Sequence, residues 1–155
     1  MLDDARVSAE LWSAAHERRR IEYRICLEGL RRAPGFDARL RSLEIHLDGQ
    51  ALHLRGFEAD GSVLAELEIA RSDLSALTRE YLEIVELLGE RQEAVGLSRM
   101  EALDMAKKVV HDRGGRLLLR RCRPLGFDLD SARRLFSVWV ALSVDTTRLG
   151  AAFTH

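Results

Sequence analysis

Seven polar residues on three separated segments have the types that do chemistry: His16, Glu17 and Arg18 near the start, Asp104 and His111 in the middle, Arg133 and Arg134 near the end. A histidine near a carboxylate can act as a general base close to neutral pH. Arginines hold a carboxylate or phosphate through forked N–H groups. If folding gathers the three segments around a cleft, the site is cationic on balance and suits a small anion. If the same groups satisfy one another without a cleft, they form an ion-pair network that keeps helices in register.

Spacing separates some of these options. Glu101, Asp104, Lys108 and His111 repeat at i, i+3, i+7 and i+10, which places them on one helix face. This is not the His-x-x-x-His or Glu-x-x-His spacing that sets two ligands on one metal, so no metal ligands are assigned. Asp104 and Lys108 suit an ordinary i, i+4 pair on a solvated face, with His111 favoured near a helix C-terminus. His46 and His53 fall in a strand region without a third ligand. No catalytic residue is assigned. The sequence has no GxGxxG, P-loop or GxSxG, and no cofactor is expected. Cys26 and Cys122 stand in arginine-rich contexts without metal spacing and read as buried reduced thiols.

Arg113, Arg116, Arg120, Arg121 and Arg123 form a second polar group with no acid among them. The first three share a helix face and would make a phosphate ridge. No aromatic residue interleaves, so base stacking is not expected. Over the 155 residues, Lys+Arg 24 against Asp+Glu 25 leaves a net charge of −1, so no global field draws the chain to nucleic acid or an anionic membrane.

The elements that must position these groups follow from periodicity. Ser8 caps a helix running to about Arg32, with Tyr23, Cys26, Leu27 and Leu30 on its apolar face and Pro34-Gly35 ending it. Between residues 40 and 70 the period falls to two. Asp48-Gly49 and Asp60-Gly61 suit two-residue turns, which predicts a three-stranded antiparallel meander. Those turns set Ile45 opposite Leu52, Leu43 opposite Leu54, Leu54 opposite Leu67 and Leu52 opposite Ile69. Leu43, Ile45, Leu47, Leu52, Leu54, Ala65, Leu67 and Ile69 then share one face. The other face pairs Arg55 with Glu66, His53 with Glu68, and Glu44 with His53.

Ser72, with Asp73 or Ser75 as alternatives, caps a second helix carrying Leu74, Leu77, Tyr81, Ile84 and Leu88. Ser98 and Glu101 make a capping box for a third helix, which Gly114-Gly115 stops. A short helix follows from Arg116 to Arg123, ended by Pro124. Asp130 caps the last helix, apolar nearly all round from Leu135 to Val144 and therefore buried.

The segment MEALDMAKKVVHD, then GG, LLL and FDLDSARRLF, resembles a bacterial family of uncharacterised conserved proteins. Its members read close to IEAIDMGRRGLHNEGSELL and VDFDTARRLFTL. The matching positions include Glu101, Asp104, Met105, His111, Gly114, Asp128, Asp130, Arg133, Arg134 and Phe136. Upstream, His16-Glu17-Arg18-Arg19 resembles the family's HERR. The resemblance implies the same order of helix, strands and helices. It carries no established activity; its genes are often seen beside those for histidinol dehydrogenase and a small phosphatase. It raises His16, Glu17, Arg18, Asp104, His111, Arg133 and Arg134 as a shared polar set. The family is acidic at two positions where this chain has Arg113 and Arg116, which weakens the nucleic-acid reading.

The expectation is one α+β domain over residues 1–145, a three-stranded antiparallel β-meander packed on helices in the order α-β-β-β-α-α-α-α, with a frayed tail at 146–155. The expected role is a non-enzymatic protein-interaction or accessory module, partnered by another protein or by a second copy as a homodimer. A small enzyme or binder of a phosphorylated or carboxylated metabolite, using His111 and the arginines, is the alternative. A nucleic-acid-binding accessory protein comes third. Without a leader-like apolar stretch at its start or a run long enough to span a bilayer, the chain is expected in the cytoplasm, away from membranes.

Overall fold

The computed structural model describes residues 1–90 and 97–144. Its elements are β1 (Asp4–Val7), α1 (Ala9–Ala14), α2 (Glu17–Arg31), β2 (Ser42–Leu47), β3 (Ala51–Phe57), β4 (Val63–Ala70), α3 (Arg71–Glu90), α4 (Leu97–Arg121), a 3-10 turn (Arg123–Leu125) and α5 (Leu129–Ser143). The α+β class holds. The sheet has four strands in the order β1-β2-β3-β4, and β1 joins the expected meander by parallel pairing with β2, from Asp4↔Ser42 to Val7↔Ile45. Four residues reading DARV carry too little alternation to announce a strand; β1 exists because β2 offers it an edge.

The helix expected from Ser8 to Arg32 is two helices. Ser8 does cap α1, its Oγ accepting from Leu11 N–H at 3.3 Å. Ala15 and His16 are extended and separate α1 from α2. Arg20 explains the break. Its Nε and guanidinium N–H donate to the carbonyls of Trp12 (2.8 Å) and Ser13 (3.2 Å), which a continuous helix would have bonded to residues 16 and 17. Tyr23, Cys26, Leu27 and Leu30 face the core as the apolar stripe requires.

The meander's apolar face is as expected: Leu43, Ile45, Leu47, Leu52, Leu54 and Ile69 are buried, with Ala65 and Leu67 half-buried. The β3–β4 register matches through Leu54↔Leu67 and Leu52↔Ile69, ending in an irregularity at Gly56/Phe57. The β2–β3 register is two residues from the expected one, with Ile45 opposite Leu54 and Leu47 opposite Leu52. Glu44 therefore faces Arg55, and His46 faces His53. The carboxylate of Asp48 causes this. It accepts from the N–H of Gln50 (2.8 Å) and of Ala51 (2.9 Å), so the turn lengthens and Gly49 keeps a negative φ. A slip of two leaves every side chain on its original face.

In the helical layer α5 is buried at Ser131, Ala132 and from Leu135 to Leu142, with Arg133 and Arg134 half-buried, and the Trp139 indole donates to Thr78 Oγ1 at 2.7 Å. Asp128, not Asp130, is its N-cap: Asp128 accepts from Ser131 N–H and Ser131 Oγ accepts from Asp128 N–H, both at 2.9 Å. α3 starts at Arg71, so Ser72 lies within its first turn. Gly114-Gly115 does not stop a helix. α4 runs through both to Arg121, absorbing the separate helix expected from Arg116. A Cβ at Gly114 would fall inside contact distance of the Phe136 ring, and one at Gly115 would lie 2.7 Å from Arg133 Cγ. These glycines let α4 and α5 approach closely. Tertiary packing outweighs the roughly 1 kcal/mol that each costs in a helix. α4 is described from Leu97; the Ser98 side chain expected to make a capping box, residues 91–96 and the tail expected at 146–155 lie outside what is described.

Candidate functional site

α5 is the floor between α2 and α4, and the three helices enclose a cleft of about 430 Å³. Ile25, Cys26 and Gly29 line it from α2, His111 from α4, and Asp130, Arg133, Arg134 and Ser137 from α5. His111, Arg133 and Arg134 thus meet, as three of the seven candidate residues. His111 is not at a helix end on an open face. Its ring packs edge-on against Phe136 (5.2 Å between centroids) and beside Tyr81 (5.9 Å), and its Nε2 is 2.9 Å from Ser137 Oγ.

The arginines are ties as well as lining groups. Arg133 grips Asp112 of α4 through Nε (3.0 Å) and a second, shorter N–H bond. Arg134 donates to Asp130 (3.0 Å) and, through a terminal N–H, to the Gly29 carbonyl of α2 (2.7 Å). Asp112 also accepts from Arg116 at 2.8 Å. The guanidinium groups of Arg116 and Arg133 hold its carboxyl below the ordinary carboxylate range.

His16, Glu17 and Arg18 do not line this cleft. They are exposed, His16 at the N-cap of α2 and Glu17 and Arg18 in its first turn. At 1.5 Å per residue, Glu17 lies about 12 Å of helix from Ile25. Their neighbour Arg19 carries the tertiary contact: it bonds the carbonyls of Ala141, Leu142 and Val144 at 3.2–3.4 Å, tying α2 to the C-terminus of α5. Asp104 pairs with Lys108 at 3.1 Å, as its spacing suggests.

Sequence reasoning missed Asp112 and Ser137. Arg116 four residues after Asp112, and one serine within RLFSVWVAL, were the available signals. Around the cleft, burial and then the Glu22 charge push the Cys26 thiol up to about 12. Burial, with a smaller contribution from Cys26, pushes the Tyr81 phenol up to about 12. Burial lowers Lys107, with Asp104 opposing and Lys108 adding.

Of the basic segment, Arg113 pairs with Glu80 (3.2 Å), Arg116 with Asp112, and Arg121 with Asp73 (3.0 Å). On the sheet's other side an open groove of about 610 Å³ is lined by Ser8, Glu10, Glu44, His46, Asp48, His53, Arg55, Glu66 and Glu68, among others. His46 Nδ1 is 2.6 Å from Ser8 Oγ, and His53 Nε2 is 2.7 Å from Asp48. Among the described residues no three His, Cys, Asp or Glu side chains are placed to hold a metal ion, and no helix is long and apolar enough to cross a membrane.

Fold and cleft together define a small α+β protein with a mixed sheet and a three-helix cleft of arginines around a histidine–serine pair. The chain belongs to the uncharacterised protein family UPF0262, whose family model matches residues 1–145. It is 32% identical to a UPF0262 protein of Jannaschia sp. (strain CCS1) over 80 residues, 51% of each chain. It is 38% identical to one of Maricaulis maris over 74 residues, 47% of this chain and 46% of the other. One of Dinoroseobacter shibae is 30% identical over 80 residues, 51% and 50%. The matched stretches span about half the length of these curated relatives. No solved structure matches.

Proposed function

We propose that this protein is a non-enzymatic accessory module that takes up a small anion, a carboxylate or a phosphate ester, between α2, α4 and α5. One observation carries the reading: adjacent arginines, Arg133 and Arg134, line the same cleft as His111 and Ser137. The linked charges are three guanidinium groups (Arg116, Arg133, Arg134) against two carboxylates (Asp112, Asp130), a surplus of one positive charge. Each lining arginine keeps N–H donors beyond those spent on the carboxylates and the Gly29 carbonyl. Ser137 and His111 add further hydrogen-bonding groups. The paired state of Arg113, Arg116 and Arg121 supports leaving nucleic acid aside.

Thermal denaturation with acetate, inorganic phosphate and phosphate monoesters tests this. Saturation at about 100 times Kd adds about 2.7 kcal/mol, several degrees for a chain of this size. The expected result is a rise with at least one of these anions, lost in Arg133→Gln. No rise at millimolar concentrations overturns the reading.

The 2.9 Å contact between Ser137 Oγ and His111 Nε2 favours a second reading, in which serine is a nucleophile and histidine its base. A serine-directed fluorophosphonate separates the two. Labelling at Ser137 that disappears in His111→Ala would make the cleft an active site; no labelling alongside an anion-dependent rise keeps it a binding site.

A further inference from the structure

β4 is the last strand of the sheet and pairs only with β3, so its outer edge is unpaired among the described residues. It is eight residues long, against four for β1 at the opposite edge. Every second residue of such a strand turns its N–H and C=O away from its neighbour, where they seek partners. Natural edges are blunted by proline, by charged side chains (lysine above all) or by mid-strand bulges, and the only charges on β4 are Glu66 and Glu68. The sequence VLAELEIA has no proline or lysine, and the irregularity in the pairing lies at the far end, opposite Gly56/Phe57. The apolar face also thins here. Leu43, Ile45, Leu52 and Leu54 are fully buried on β2 and β3, whereas Ala65 and Leu67 on β4 are half-buried and Val63 is exposed.

We propose that β4 accepts an extended segment of a partner protein, alternating basic and apolar residues, as a fifth strand. Adding a strand satisfies the edge and sets alternate side chains on the two faces. On one face, apolar side chains would complete the cover over Ala65 and Leu67. On the other, lysine or arginine would lie beside Glu66 and Glu68, whose side chains are 57% and 69% exposed even with Arg55 and His53 opposite them. The wider field has the same sign. Five carboxylates (Glu10, Glu44, Asp48, Glu66, Glu68) and one guanidinium (Arg55) line the open-face groove, while the whole chain carries only −1. The same glutamates disfavour a second copy as occupant. Two-fold antiparallel pairing of β4 with itself, centred on Glu66, Leu67 or Glu68, sets glutamate against glutamate.

The test uses the full chain and a labelled peptide of alternating lysine and valine, followed by fluorescence anisotropy. Saturable binding is expected. It should weaken about tenfold or more in the Glu66→Lys, Glu68→Lys double variant, whose fold is checked by circular dichroism. Methylating alternate backbone nitrogens of the peptide should abolish binding, because strand addition needs those N–H groups. An alternating glutamate–valine peptide should not bind, and Arg133→Gln in the cleft should change nothing. Equal binding of the methylated peptide would reduce the contact to charge alone and overturn strand addition. Absence of binding at low salt would overturn the proposal outright.

Discussion

The protein sets a histidine against a serine hydroxyl in two places, and their surroundings are opposite. His111 and Ser137 meet between helices, under the rings of Tyr81 and Phe136 and beside two arginines. His46 and Ser8 meet on the open side of the sheet among carboxylates, with Ser8 also capping α1. The same two groups are therefore no guide to function by themselves. What differs is the fixed charge around them and how firmly their backbones are held. The helical pair sits where four helices have little room to move. The sheet pair joins β2 to the N-cap of α1 at the edge of an open groove.

The sharpest way to break this contrast is through glycine. Gly114 touches the Phe136 ring, whereas nothing lies within 4 Å of where a Cβ would stand on Gly49. Gly114→Val should cost about 3 kcal/mol, since overpacking a close helix contact forces backbone shifts. Gly49→Ala should stay within about 0.5 kcal/mol, as at a surface position with an ordinary φ. Urea unfolding of the two variants measures both. Equal effects would mean that the helical cleft is no more tightly built than the hairpin.

That contact also shows where sequence reading stops. Two glycines after an amphipathic stretch are locally a helix stop, and only Phe136 and Arg133 of α5, far along the chain, make them a packing surface. The apolar face of the meander was readable because alternation survives a two-residue slip; the slip was not, because it came from the Asp48 side chain bonding two N–H groups. His111, Arg133 and Arg134 were legible as candidates through the family-like motifs. Their meeting was not, since it depends on α2 and α4 flanking α5. His16, Glu17 and Arg18 came from the same kind of motif, yet the residue that reaches across is the next one, Arg19.

Asp112 sharpens the comparison at an intermediate scale. It joins α4 to α5 through Arg133, and its carboxyl is held below the usual range by Arg116 and Arg133. Asp112→Asn should cost about 1 kcal/mol at neutral pH, as for a partly exposed ion pair. The sign follows from linkage. A carboxyl with a depressed folded pKa contributes stability above its unfolded value, near 3.9, and loses it as pH falls through the folded pKa. The gap between parent and variant should therefore be full above about pH 5 and close under stronger acid. Glu68→Gln on the sheet face, whose side chain is largely exposed, should cost much less at neutral pH. A gap for Asp112→Asn that persisted below both pKa values would mean that shape, not charge, holds Arg133.

The smallest expected effect is at the thiols. Cys26 lines the cleft and Cys122 lies in the core, yet both are buried and both are pushed up to about 12 by burial. Thiolate, not thiol, is what an alkylating reagent attacks, and at pH 8 such a group is about one part in ten thousand thiolate. Neither cysteine should react with iodoacetamide in the native state, and both should react together on unfolding. An anion in the cleft should then slow the labelling of both by the same factor, because it stabilises the folded state as a whole. Selective labelling of Cys26 would show that α2 opens away from α4 and α5 while the rest stays folded, a local motion of low free energy. The ties from Arg134 to the Gly29 carbonyl and from Arg19 to the end of α5 act against that opening from both ends of the cleft. Removing one of them, as in Arg134→Ala, is where selective reaction at Cys26 should first appear.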